Sequence, residues 1–141
     1  MIRTIIKSIE GALALIGAWV VDILGGVNDI IIVLLALVVI DYLTGVIKAC
    51  IKKVLSSEIG FRGLARKAMI LTVVALGHLV DVYLIKEGNT IRCACIFFYI
   101  ANETLSVIEN MGEIGVPLPE KLKSILLQLK DKEDNNNGST D

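Results

Sequence analysis

Four carboxylates interrupt otherwise apolar stretches of this 141-residue chain, Asp22, Asp41, Asp81 and Glu103, and its single histidine, His78, lies among them. An ionisable side chain at the centre of a membrane helix costs on the order of 2.5 to 3.5 kcal/mol on insertion scales. Such residues mark an ion or proton path, a water-filled cavity, or a hydrogen-bonded seam between helices. A polar stripe runs alongside: Asn102, Ser106, Glu109 and Asn110 fall at i, i+4, i+7 and i+8 of a helical repeat, with Glu103 bordering that face. Thr44 and Asn102 are the hydrogen-bonding neighbours available to Asp41 and Glu103. No cation is evident at their level, and two close carboxylates in a low dielectric resist joint ionisation. Other chemistry has no foothold. The three cysteines, Cys50, Cys93 and Cys95, show neither CxxC nor zinc spacing, and one histidine builds no metal site. There is no nucleophile triad, and Gly60 and Gly63 read as a turn, not a phosphate-binding loop. The sequence predicts no catalysis, no metal and no cofactor.

The elements that position these groups follow from hydropathy. Residues of the set AVILMFWYC make up 55% of the chain and the mean hydropathy is +0.73, above the level of an ordinary soluble domain. These residues come in long blocks at 30–47, 68–85 and 93–108, each near the length that crosses the roughly 30 Å hydrocarbon core of a bilayer. In lipid the backbone must satisfy its own hydrogen bonds, so the blocks are expected to be helical despite many β-branched residues. An earlier block, 11–27, holds Asp22 and four glycines and reads as a spanning helix, an interfacial helix or a signal sequence; Asp22 and the lack of a small-x-small cleavage site weigh against removal. Gly25, Gly26, Asn28 and Asp29 predict a tight turn into the next block. The expected fold is an all-α integral membrane protein of three to four transmembrane helices, forming one domain over residues 1–130.

Charge placement orients the chain. The formal net charge of −1 argues against nucleic acid as a partner. The segment 48–67 holds Lys48, Lys52, Lys53, Arg62, Arg66 and Lys67 against the single acid Glu58, whereas the 86–92 segment has only two cations. The positive-inside rule puts the first in the cytoplasm as a basic loop at the membrane surface, and the C-terminus with it. Four spans then place Arg3 and Lys7 inside as well, and three place them outside, so the rule favours four. From this topology Asp41 and Glu103 lie about 15 Å deep, and Asp22, His78 and Asp81 form a shallower outer layer. Beyond Pro117 and Pro119, residues 120–130 place Leu122, Ile125, Leu126 and Leu129 on one face, predicting an amphipathic cytoplasmic helix; the polar residues 131–141 read as disordered. Gly45, the pair Ala75 and Gly77, and the pair Ala94 and Ala101 allow close helix approach and self-association.

In order along the chain stand Asp41, Thr44 and Gly45 (D-x-x-T-G); Gly60, Gly63, Leu64, Arg66 and Lys67 (G-x-x-G-L-x-R-K); Asn102, Glu103, Ser106, Glu109 and Asn110 (N-E-x-x-S-x-x-E-N); and Gly115, Val116, Pro117 and Pro119 (G-V-P-x-P). Over residues 30–129 this ordered set resembles the phage lysis and toxin-secretion holins, the group that includes the holin-like protein of clostridial toxin loci. The resemblance implies a homo-oligomer in the bacterial inner membrane that opens large lesions. Through these an endolysin escapes without needing direct contact, or a toxin or bacteriocin is exported. Asp41, Thr44, Gly45, His78, Asp81, Asn102, Glu103, Ser106, Glu109 and Asn110 are then the expected pore or helix-interface residues. A small ion channel or proton-coupled transporter, and a non-conducting structural membrane subunit, are the competing readings of the same carboxylates.

Overall fold

A computed structural model describes residues 1–122 and 124. Four long helices follow one another: α1 (Ile2–Ile23), α2 (Asp29–Ile51), α3 (Ser57–Val80) and α4 (Thr90–Glu113), with a single π-helical turn, Asp81–Ile85, extending α3. All four are long and apolar enough to cross a membrane. The helices outrun the hydropathy blocks at most ends, because hydropathy marks only the part in hydrocarbon whereas the backbone stays helical into the headgroup zone. The 48–67 segment shows this most clearly. Its cations lie mainly on the last turn of α2 and the first turns of α3, and only residues 52–56 are non-helical, so the expected basic loop is a short turn between two charged helix ends. Of the helix expected over 120–130, Glu120, Lys121, Leu122 and Ser124 are described, and these four residues are helical. Its remainder and the tail after it lie outside the described residues.

Local sequence sets the boundaries. Gly25 and Gly26 adopt φ of +82° and +81°, a left-handed conformation that costs glycine little, and they reverse the chain after α1. Asn28 then caps α2, its Oδ1 accepting from the Ile31 N–H at 3.2 Å. Ser56 caps α3 in the same way, accepting from Ile59 N–H at 3.2 Å. The π turn closes with the Lys86 N–H donating to the Asp81 carbonyl at 2.7 Å.

Packing follows a heptad spacing on three helices. Ile31, Leu34, Val38 and Asp41 of α2 face Lys67, Ile70, Val74 and Gly77 of α3 and Arg92, Ile96, Glu103 and Asn110 of α4, and all of these are buried. Repeats of three and four residues give the shallow crossings of a left-handed bundle. The apolar core is small, Leu24, Ile31, Leu34, Val38, Ile70, Val74 and Ile96. Large apolar side chains such as Trp19, Ile32, Val39, Met69, Leu76, Phe97 and Phe98 are exposed instead. Lipid reverses the incentive that fills a soluble core, so an apolar exterior around a partly polar interior is the arrangement expected in a membrane. Helix α1 stands apart. It has no buried residue, and among the described helices it approaches α3 alone.

Candidate functional site

The three packed helices bring their charged positions to one level. Asp41 lies ten residues before the end of α2, Lys67 ten residues after the start of α3, and Glu103 ten residues before the end of α4, about 15 Å from the basic end of the bundle in each case. There the Lys67 ammonium lies between the two carboxylates, donating to Asp41 Oδ2 and Glu103 Oε2. The three side chains are only 6–10% exposed. Asn110, one heptad beyond Glu103, donates through Nδ2 to the other Asp41 oxygen at 3.1 Å and to Thr44 Oγ1 at 3.2 Å. Thr44 in turn donates to the Asp41 backbone carbonyl at 3.0 Å. Gly45 keeps the α2 surface bare beside this network, since a Cβ there would stand 3.7 Å from Asn110 Nδ2.

Lys67 therefore corrects two expectations. It is not a membrane-surface cation, and the mid-depth carboxylates do have a basic partner. The reason is register: α3 begins at Ser57, not near residue 68, and Gly60, Gly63, Lys67, Ile70, Val74, Gly77 and Asp81 then occupy one face at heptad spacing. An unpaired lysine would be disfavoured there, and two unpaired carboxylates more so, but together they exchange hydration for charge-assisted hydrogen bonds. The stripe on α4 is also rotated from the expected one. Glu103 and Asn110 point inward, Ser106 and Glu109 are half-buried, and Asn102 is exposed on the outer surface.

The outer layer is organised around Arg92, one of the two cations of the 86–92 segment between apolar blocks. Arg92 is 1% exposed and donates through Nε to the Leu24 carbonyl and through Nη2 to the Gly26 carbonyl at 2.9 Å. It ties the exit of α1 to the start of α4. Asp81 accepts from the Ile91 and Arg92 backbone N–H groups at 3.0 and 2.8 Å, satisfying first-turn donors of α4 that the N-cap residue Asn89 leaves open. His78 lies near the same turn, its Nδ1 buried without a hydrogen-bond partner among the described residues, and a Cβ on Gly25 would come to 2.6 Å from that nitrogen. Asp22, expected in this layer, is exposed on α1.

At the basic end, Lys48 and Lys52 both pair with Glu113 of α4, the first at 3.5 Å. Arg62 pairs with Glu58 one turn back at 2.7 Å. Lys53 is exposed with φ of +55° in the turn. Between α2 and α3 a cavity of about 360 Å³ opens at this end and reaches inward to Asp41, Lys67 and Asn110. Among the described residues no group of His, Cys, Asp and Glu side chains has the makings of a metal site, and all three cysteines are free.

Comparison with known proteins gives this geometry a context. The profile described as the Bacteriophage holin family matches residues 18–131. An uncharacterized 14.9 kDa protein from the nagH 3′ region of Clostridium perfringens is 40% identical over 130 residues, which cover 92% of this chain and 98% of that one. The uncharacterized YqxH protein of Bacillus subtilis is 36% identical over 121 residues, 86% of this chain and 85% of its own. A probable holin of Bacillus phage phi105 is 41% identical over 86 residues, 61% of this chain and 63% of its own. No solved structure gives a significant match.

Proposed function

Because the chain belongs to the bacteriophage holin family and has the four apolar helices of a multi-pass membrane protein, we propose that it oligomerises in the bacterial inner membrane and opens lesions wide enough for a folded protein to pass. The cargo is an endolysin in a lysis cassette, or a toxin or bacteriocin in an export locus, and no direct contact with it is needed. The basic end of the bundle faces the cytoplasm, as the concentration of Lys and Arg around the α2–α3 turn favours. Family membership points to a non-enzymatic role.

One observation carries the mechanism: a charged and hydrogen-bonded seam, Asp41, Lys67, Glu103, Asn110 and Thr44, runs through a bundle whose outer surface is apolar. In a single copy the seam is closed on itself and the exterior is compatible with lipid. Parting α3 from α2 and α4 exposes the seam to water and gives each subunit one wet face. Several subunits placed with these faces together line a hole. Asn102, exposed on the apolar side of α4, is a contact point between copies, where a side-chain amide finds in another amide the partner that lipid does not offer.

The test is co-expression with a peptidoglycan hydrolase that lacks its own export signal. Lysis, with release of a folded cytoplasmic enzyme into the medium, is expected at a defined time after induction. Depolarisation without enzyme release assigns the chain to the channel or transporter class. An inserted protein that causes neither is a structural subunit.

A further inference from the structure

The cavity between α2 and α3 has the composition of a binding site, and we propose that it holds the phosphodiester headgroup of an anionic phospholipid. This sharpens a general attraction of surface cations for the membrane into one built site. It rests on membrane insertion, and pore formation is not needed for it.

Charge is the first argument. Lys48, Lys52, Arg62 and Arg66 line the mouth, and the acids paired with them are Glu113, shared by both lysines, and Glu58. Two positive charges are left over at the mouth. Lys67, at the deep end, is already committed to two carboxylates, so an anion is favoured near the opening and repelled from the interior. The Arg62–Glu58 pair, with side chains 74% and 77% exposed, is a solvated pair of little worth and leaves the guanidinium free to take a better acceptor. Arg66 has no carboxylate within ion-pair distance among the described residues.

Level is the second. Lys48 is three residues from the end of α2 and Arg62 five residues into α3, about 5 and 8 Å from the helix ends, which is close to the hydrocarbon edge for helices of this length and within reach of the headgroups for long cationic side chains. Arg66 starts one turn deeper, lines the cavity and is exposed, and a side chain of its length on a helix tilts toward the N-terminal end, here the mouth.

Shape is the third. Gly60, Gly63 and Tyr42 line one wall, where the bare backbone of the two glycines lets the Tyr42 ring lie close against α3: Cβ atoms there would meet its hydroxyl at 3.6 Å and its ring at 3.4 Å. Val46, Ala49, Val54 and Ile59 make part of the wall apolar, as suits the glycerol and first methylenes below a phosphate. A volume of about 360 Å³ lies at the small end of the roughly 300–1,000 Å³ typical of ligand sites. Basic pockets between membrane helices are a known way to hold anionic headgroups.

The experiment uses the full chain in neutral detergent, with native mass spectrometry titrations of phosphatidylglycerol and phosphatidylcholine of matched acyl chains. Phosphatidylglycerol is expected to bind at least tenfold more tightly. Arg62→Gln and Arg66→Gln are each expected to remove most of that preference, and Lys53→Gln, in the same turn but off the cavity, to keep it. Gly60→Leu fills the cavity without changing any charge and is also expected to remove it. Equal binding of the two lipids overturns the proposal, as does equal loss in the Lys53 and Arg66 variants, which means diffuse surface attraction. Displacement of the lipid by an equimolar amount of inorganic phosphate assigns the site to a soluble anion and overturns the lipid reading. A protein that fails to lyse cells yet binds phosphatidylglycerol selectively refutes the pore and leaves the lipid site standing.

Discussion

Replacing Lys67 with methionine removes the cation that touches both Asp41 and Glu103 and keeps most of the side-chain volume. The size of the effect follows from burial. With 6–10% exposure the three side chains are a buried cluster, so the relevant scale is the roughly 3–5 kcal/mol lost on breaking a buried pair, not the 0–1 kcal/mol of a surface one. Two carboxylates then face each other, with only the Asn110 amide, among the described residues, left to donate to either of them. The loss corresponds to two to four orders of magnitude in the folding equilibrium. It can be measured by transfer from mild detergent to dodecyl sulfate, following helicity and the labelling of Cys95, a half-buried thiol that would lie 3.2 Å from a Cβ on Gly77.

The decisive comparison is the triple variant Asp41→Asn, Lys67→Met, Glu103→Gln. It removes all three charges while keeping shape, and neutral replacements of buried ion clusters are often as stable as the original or more so. It should therefore recover most of the loss. Glu103→Gln alone should be the mildest single change, because it leaves one cation with one anion and does not disturb the Asn110 bond to Asp41. If Lys67→Met costs less than about 1 kcal/mol, no more than a surface pair is worth, the cluster is hydrated and the packing argument fails. If the triple variant is as unstable as Lys67→Met, the loss comes from packing and not from charge.

Three further outcomes test the rest of the bundle. Gly25→Ala should cost more than Gly26→Ala, although both have φ near +80°, because only at Gly25 would the new Cβ strike His78 Nδ1 and Arg92 Nε, at 2.6 and 2.7 Å; thermal unfolding in detergent should separate them by more than about 1 kcal/mol. Gly77→Ala puts a Cβ 3.1 Å from the Arg92 Cα and should destabilise the α3–α4 contact by about 1–3 kcal/mol, whereas Gly17→Ala, with open space around it, should be neutral or stabilising in the same assay. Arg92→Lys keeps the charge but cannot span the Leu24 and Gly26 carbonyls as the guanidinium does, so about 1.5–3 kcal/mol of local stability should be lost and amide exchange should rise at residues 24–27.

The three central helices and the mid-depth carboxylates were legible in the sequence because hydropathy in lipid is nearly a direct reading of span, and because Asp41 and Glu103 stand out inside apolar blocks; the number of spans was legible only as three or four, because Asp22 and four glycines break the first block. Lys67 and Arg92 were missed for a common reason. Each lies at the edge of an apolar block, where a cation counts toward topology and is assigned to a loop, yet each belongs to a helix that starts residues earlier than hydropathy suggests. The usable signal was the heptad: once Gly60, Gly63, Ile70, Val74 and Gly77 are put on one face, Lys67 has no other place to point. The same test applied to α4 puts Arg92, Ile96, Glu103 and Asn110 together and turns Asn102 outward, one residue away from the stripe read from polarity alone. What no local pattern contains is the partnership across helices, because the two acids on α2 and α4 become acceptable only with the lysine of α3 between them.

That partnership links stability to timing. If the hole is lined by the seam, opening must take Lys67 away from Asp41 and Glu103 and give all three to water, so the cluster holds the closed state by whatever it gains over hydration. Lys67→Met strains the closed bundle and leaves both carboxylates better off in water, and lysis should come early. The triple neutral variant removes the incentive for these positions to hydrate while keeping the closed packing, and lysis should come late or not at all, at equal membrane levels of protein. The two variants are expected to shift lysis time in opposite directions although both lack Lys67, which separates a charge effect from loss of a side chain. If both delay lysis equally, or neither moves it, the seam is helix glue only and the lining must be sought elsewhere, first along α1, whose residues are all unburied in the single copy.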